Sequence, residues 1–256
     1  MKAAKLAILG LCAGAGASAG AVSCGKGEMY CTSAFGHFAV VLDLEKSSGD
    51  CEGAPVNLEE LDGESAILET YADKGAKDLS DWSHGNLVIK TGLMGNYEGV
   101  ALSRGAENQG KSTVARAEFA ASNPDADGFC KVSKFKNGAE LELDELEADV
   151  DTDTGSTSGD AELFPGQEAI DWKIDWSEMT MYVTPDAQGT QFTATVEMEL
   201  NGCEAKFSAV GLYPEVHCEK DKDCEDKTNG INPSFDVKCD DDSGMCTLER
   251  KMPSYE

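Results

Sequence analysis

Residues Thr190 to Tyr213 constrain the fold most tightly, because they specify two strands and the register between them. Phe192, Ala194, Val196, Met198 and Leu200 alternate with Thr193, Thr195, Glu197 and Glu199, the period of a strand with one buried face. Asn201-Gly202 then supplies the two positive-φ positions of a type I′ turn. The resulting register sets Leu200 opposite Cys203, Met198 opposite Ala205 and Val196 opposite Phe207, all on one side. On the other side Glu197 faces Lys206 and Thr195 faces Ser208, both favourable cross-strand pairs, while Glu199 against Glu204 is a minor like-charge cost. The same pattern turns Cys203 toward the interior, where a disulfide to another layer is natural. Met179 to Thr184, ended by Pro185, predicts a third strand joined through residues 186–189.

Further strands are predicted at Phe35 to Leu44, Ser65 to Tyr71, Asn86 to Thr91, Val100 to Ser103, Thr113 to Ala120 and Phe129 to Phe135. Each is rich in branched or aromatic residues, and Gly, Asn and Pro clusters separate them. Residues 57 to 62 suggest a single helical turn capped by Asn57. Ala139 to Glu147 reads either way, since Leu141 and Leu143 alternate while Leu143 and Leu146 have helical spacing. Many short strands about ten residues apart predict an all-β fold, a mostly antiparallel sandwich or barrel. A small disulfide-rich module is expected to follow it. The expected division is an export signal over 1–23, a tether over 24–34, a β-rich domain over 35–215 and a Cys-rich module over 216–256.

The export signal rests on Lys2 and Lys5, the apolar, small-residue run from Leu6 to Val22, and Ser23-Cys24. A membrane span needs about 20 mostly apolar residues, and four glycines break this run. Ala21-Val22-Ser23-Cys24 resembles the bacterial lipobox, with Ala21 where that family usually has leucine. The resemblance implies cleavage before Cys24, acylation of its thiol and anchorage by three acyl chains. Gly25 replaces the aspartate that often retains such lipoproteins at the inner membrane, so the resemblance points to the outer membrane. The rival is an A-x-A cleavage site at Ala17-Ser18-Ala19, which would yield a secreted or periplasmic soluble chain.

Ten cysteines are present. Cys12 leaves with the signal and Cys24 takes lipid, so an even set remains: Cys31, Cys51, Cys130, Cys203, Cys218, Cys224, Cys239 and Cys246. In an oxidising compartment these are disulfide candidates. The last four are separated by gaps of 5, 14 and 6 residues, among Asp, Gly, Asn and Pro. Such a stretch buries little apolar surface, so cross-links must substitute for a core. Paired C-x-x-C knuckles, the signature of a zinc site, are missing. The run from Asn229 to Asp240, followed by Gly244-Met245-Cys246-Thr247-Leu248, resembles the Cys-rich C-terminal ends of predicted bacterial outer-membrane and surface lipoproteins of unassigned function. That resemblance implies a location and no activity.

Net charge narrows the partners. The chain carries a formal −27, and loss of Lys2 and Lys5 takes it to −29. A surface of that sign repels phosphates and anionic head groups, which excludes nucleic-acid binding. Divalent cations are the converse case. Asp149, Asp151, Asp153 and Asp160 fall at positions 1, 3, 5 and 12 of an EF-hand-like loop, a calcium pattern. Thr154 stands where that loop needs glycine, and a solvated acidic loop is the competing reading. Trp172 and Trp176 around Asp171 and Asp175 suggest either an aromatic ligand platform or core packing.

Enzyme signatures are missing. Gly155 to Gly159 places Thr157 where a G-x-S-x-G elbow needs its serine, and neither H-E-x-x-H nor a phosphate loop occurs. His84 is the best candidate for a catalytic histidine, with His37 and His217 reading as structural. No catalytic residue is assigned. The expectation is a lipid-anchored, disulfide-stabilised envelope protein with a structural or ligand-binding role, held to the membrane through its N-terminal lipid. Two alternatives stay open: a surface hydrolase acting on carbohydrate through carboxylates, and a calcium-stabilised adhesion module.

Overall fold

The architecture was read from a computed structural model that describes residues 28–75, 79–147, 149–150, 162–164 and 168–254. The signal, Cys24, and Asp151, Asp153 and Asp160 of the predicted calcium loop lie outside the described residues. The strands are β1 (Phe35–Ser48), β2 (Gly63–Lys74), β3 (Ser80–Thr91), β4 (Ala115–Phe119), β5 (Phe129–Asn137) and β6 (Ala139–Leu143). They continue with the short pair β7 (Asp149–Val150) and β8 (Glu162–Phe164), then β9 (Ile170–Thr184), β10 (Ala187–Leu200) and β11 (Cys203–Leu212). Helix α1 (Gly92–Ser103) lies between β3 and β4; helix α2 (Asp221–Cys224), β12 (Val237–Asp240) and β13 (Met245–Leu248) form the tail.

The large sheet runs β10-β11-β1-β2-β3-β4-β5-β9-β6, and β9 pairs back onto β10. That last pairing closes an antiparallel barrel and resolves the choice between sandwich and barrel. One edge of β9 meets β10 from Trp172 to Thr184. Its other edge is shared: β5 takes Thr180 to Tyr182 and β6 takes Ile170 to Ile174. Bulges in β1, β9 and β10 supply the curvature a closed sheet needs. The β10–β11 hairpin has the predicted register throughout, from Gln191↔Leu212 to Leu200↔Cys203, with Asn201 and Gly202 both at positive φ.

Inward positions fill the lumen. Phe38, Leu68, Leu87, Ile89, Trp172, Ile174, Met181, Phe192, Val196 and Phe207 are fully buried. Both ends are sealed. At the near end, where β1 begins, residues 28–34 cross the opening and are held by the Cys31–Cys130 disulfide. Cys31 N–H bonds to Ser122 O at 2.9 Å and the Asn123 amide to Met29 O at 2.7 Å. At the far end the loop 51–62 folds inward with Leu58 buried, tied by Cys51–Cys203. Its 3-10 turn (Leu58–Glu60) is capped by Asn57, as expected.

Helix α1 covers the same far end and corrects the strand predicted at Val100 to Ser103. Gly92, Gly95 and Gly99 weaken the helical signal, yet Met94, Tyr97 and Ala101 recur at helical spacing and pack onto the barrel. Tyr97 meets Trp172 edge-on at 6.0 Å. The tail docks on the outer wall, where Ile231, Phe235 and Leu248 cluster with Ala187 and Leu212 of the barrel. Two interleaved bridges, Cys218–Cys239 and Cys224–Cys246, hold it together.

Candidate functional site

Among the described residues the lumen is filled by side chains, and the exposed polar groups lie on the outer wall and the tail. The strand alternation that packs the interior also decides the fate of the two tryptophans. Ile170, Trp172, Ile174 and Trp176 point inward while Asp171, Lys173 and Asp175 face out. Trp172 and Trp176 are 1% and 3% exposed, so they form no ligand platform; a spacing of four residues is two strand periods and returns to the same face.

His84 lies within β3 rather than in a loop, and Ser83 is beside it. Ser83 Oγ is 2.9 Å from His84 Nδ1 and donates to Asp81 Oδ1 at 2.5 Å. Asp81 Oδ2 lies 3.8 Å from that same Nδ1. A relay needs the acid on the far ring nitrogen, where it orients the base toward the nucleophile. Here one nitrogen takes both contacts on an exposed strand, and the hydrogen bonds from Ser83 hold the Asp81 carboxyl below its ordinary range. These are local contacts between near neighbours at the bulged start of β3.

The other two histidines converge on Glu215, which sequence reading missed because His37 and Glu215 are far apart in the chain. Glu215 N–H bonds to His37 O at 2.9 Å, extending β1's edge. Ser65 Oγ donates to Glu215 Oε2 at 2.5 Å, and His37 Nδ1 is 4.0 Å from that oxygen. His217 Nε2 is 3.3 Å from Oε1. Two imidazoles and a carboxylate are zinc- or copper-type donors, but the rings address opposite oxygens. The carboxylate therefore stands between them as a polar hub joining barrel to tail. The sulfurs of Cys218, Cys224 and Cys239 also lie within 4.8 Å of one another, and all are spent in disulfides.

Among the described residues, shallow recesses open on the barrel wall and on the tail. A groove of about 270 Å³ crosses the far half of β9, β10, β11 and β1, lined by Lys46, Lys173, Lys206, Asp175, Glu197 and Glu204. Lys173 is paired with Asp175 at 2.7 Å, and Lys206 lies 3.8 Å from Glu197, the cross-strand partner predicted for it. A cleft of about 400 Å³ in the tail is lined by Ile231, Asn232, Phe235, Asp236 and Glu249. The Asp236 carboxylate hydrogen-bonds Glu249 and pushes its pKa up, while Arg250 pairs with Asp236 at 2.8 Å.

One ionisable group is enclosed by the barrel. Glu64 projects inward from β2 beneath the start of α1; its Oε2 accepts from Leu93 N–H at 3.4 Å and its Oε1 has no partner among the described residues. Burial pushes its pKa up to about 8, opposed in part by the Leu93 hydrogen bond. Thr91, the N-cap of α1, makes no side-chain capping bond, so Glu64 serves the helix start instead.

No curated protein and no solved structure matches the chain. A family model described as MlpA matches residues 36–214, a span that begins in β1, ends just beyond β11 and covers well over half of the sequence. The closed barrel is therefore the matched unit, and the chain belongs to the MlpA family.

Proposed function

We propose that this is an exported envelope protein, anchored through Cys24, that works by presenting the outer wall of a rigid barrel to a non-covalent partner. One observation carries the reading: the lumen is packed with side chains and closed at each end by a disulfide-tied segment. A ligand carrier needs an open cup, and an enzyme needs a cleft in which reactive groups converge. Export is supported by the four bridges, which use every cysteine among the described residues and suit an oxidising compartment. Anchorage is supported by the lipobox resemblance around Cys24.

Fractionation of cells making the native chain or its Cys24→Ser variant, followed by titration of the released variant with the apolar dye ANS, tests both halves. The native chain is expected with the membranes, the variant in the soluble fraction, and any dye uptake confined to exposed surface residues such as Leu79 and Trp82. A soluble native chain would contradict the anchor; saturable uptake that is unchanged by Leu79→Ser and Trp82→Ser would contradict the packed lumen.

A further inference from the structure

We propose that the near rim of the barrel, at Phe35, Tyr71, Leu79 and Trp82, rests against the bilayer in which Cys24 is anchored. The proposal depends on the Cys24 reading and adds to it a contact made by the folded protein itself. Phe35 is 69% exposed, Leu79 68%, Trp82 47% and Tyr71 44%. All four belong to the start of β1 and the β2–β3 hairpin, and register places them together: Phe35 lies opposite Glu69, two residues from Tyr71, and Gly75 N–H closes the hairpin onto Leu79 O. Tyr30, in the segment crossing the near end, packs its ring against Trp82 at 5.2 Å.

Water alone does not explain these residues. On β10 the outward positions are Thr193, Thr195, Glu197 and Glu199, which is what this acidic chain places against solvent. At the near rim outward positions hold Phe35 and Tyr71, with Ile67 the next apolar residue along β2. Tryptophan and tyrosine suit the boundary between head groups and acyl chains, where an apolar ring and a polar edge are both satisfied.

Tether length selects the occupant. Six residues separate Cys24 from Cys31, and even fully extended the connection between the two spans at most about 25 Å. Cys31 is fixed to Cys130 at the near end. The far end, with the exposed Val100 and Leu102 of α1, lies roughly a strand length away, about 30 Å from Phe35 to Leu44 along β1. An anchor at Cys24 thus keeps the near rim within about 25 Å of the bilayer, a reach shorter than the ~30 Å that an inverted barrel, far end down, would need. Given the chain's net negative charge, the fitting surface is zwitterionic rather than anionic.

Trp82 reports the contact selectively, because Trp172 and Trp176 are buried. The native chain would be reconstituted into phosphatidylcholine vesicles with and without brominated acyl chains. The expected result is co-sedimentation and bromine quenching of an emission component that the Trp82→Phe variant lacks. Co-sedimentation with unquenched Trp82 overturns the rim contact and leaves the anchor standing. A chain that stays in the supernatant with Cys24 unmodified overturns the anchor and the rim contact together. Trp82 already shielded from aqueous iodide in the vesicle-free Cys24→Ser variant would put a second copy on the rim and overturn the bilayer assignment.

Discussion

Glu64→Gln removes the one carboxyl group buried inside the barrel among the described residues, and its effect should depend on pH in a defined way. In the fold its pKa rises from an ordinary 4.5 to about 8 because it is buried, with only Leu93 N–H to stabilise the charge. A rise of that size corresponds to about 5 kcal/mol of penalty on the ionised folded state. The folded state binds the extra proton, so stability is fully present below about pH 4.5, is lost as pH rises, and reaches its low plateau above about pH 8. Glutamine keeps an oxygen for Leu93 N–H and carries no charge. Urea denaturation of both chains from pH 4 to pH 9, with disulfides intact, isolates the effect, since every other acid cancels in the difference. The variant is expected to gain several kcal/mol over the native chain at pH 9 and almost nothing at pH 4. Parallel stability curves would refute the placement of Glu64 in a closed, dry interior.

Other substitutions test the packing and the bridges. Replacing Cys51 and Cys203 by alanine releases a link across 152 residues and is expected to cost about 5 kcal/mol on the chain-entropy view; loss of Cys218–Cys239, which spans 21, should cost about 3. Trp172→Ala should lower stability by about 3–5 kcal/mol because it opens a cavity against Tyr97, whereas Trp82→Ala in the soluble Cys24→Ser background should change it by no more than about 0.5 kcal/mol. EDTA should leave the thermal midpoint unchanged if Asp149 to Asp160 form a solvated acidic loop, and a clear drop would assign calcium to it.

The hairpin was legible to the residue because its information is local: alternation and an Asn-Gly turn leave a single register. Barrel closure was not, since it depends on β9 sharing one edge between β5 and β6, and no short-range pattern records that division. The true start of β9 was available in the alternation of Ile170, Trp172, Ile174 and Trp176 with Asp171, Lys173 and Asp175, but the tryptophan spacing also invited a platform reading. Helix α1 was hidden by its glycines and is held by packing on the far end. Glu64 was invisible for a related reason: an acidic residue ahead of a strand reads as solvated until its inward register with Ala66 and Leu68 is seen. The Glu215 hub joins residues far apart in sequence, so only the fold reveals it.

The central claim is a lipid-anchored chain whose remaining cysteines all clamp the fold. Intact mass of the native protein, recorded before and after reduction in denaturant, tests it most directly. The account predicts an N-terminus at Cys24 carrying three acyl chains and, on reduction, a gain of two hydrogen masses for each of the four bridges. An N-terminus at Gly20 with no added acyl mass, or a smaller gain on reduction, would contradict it.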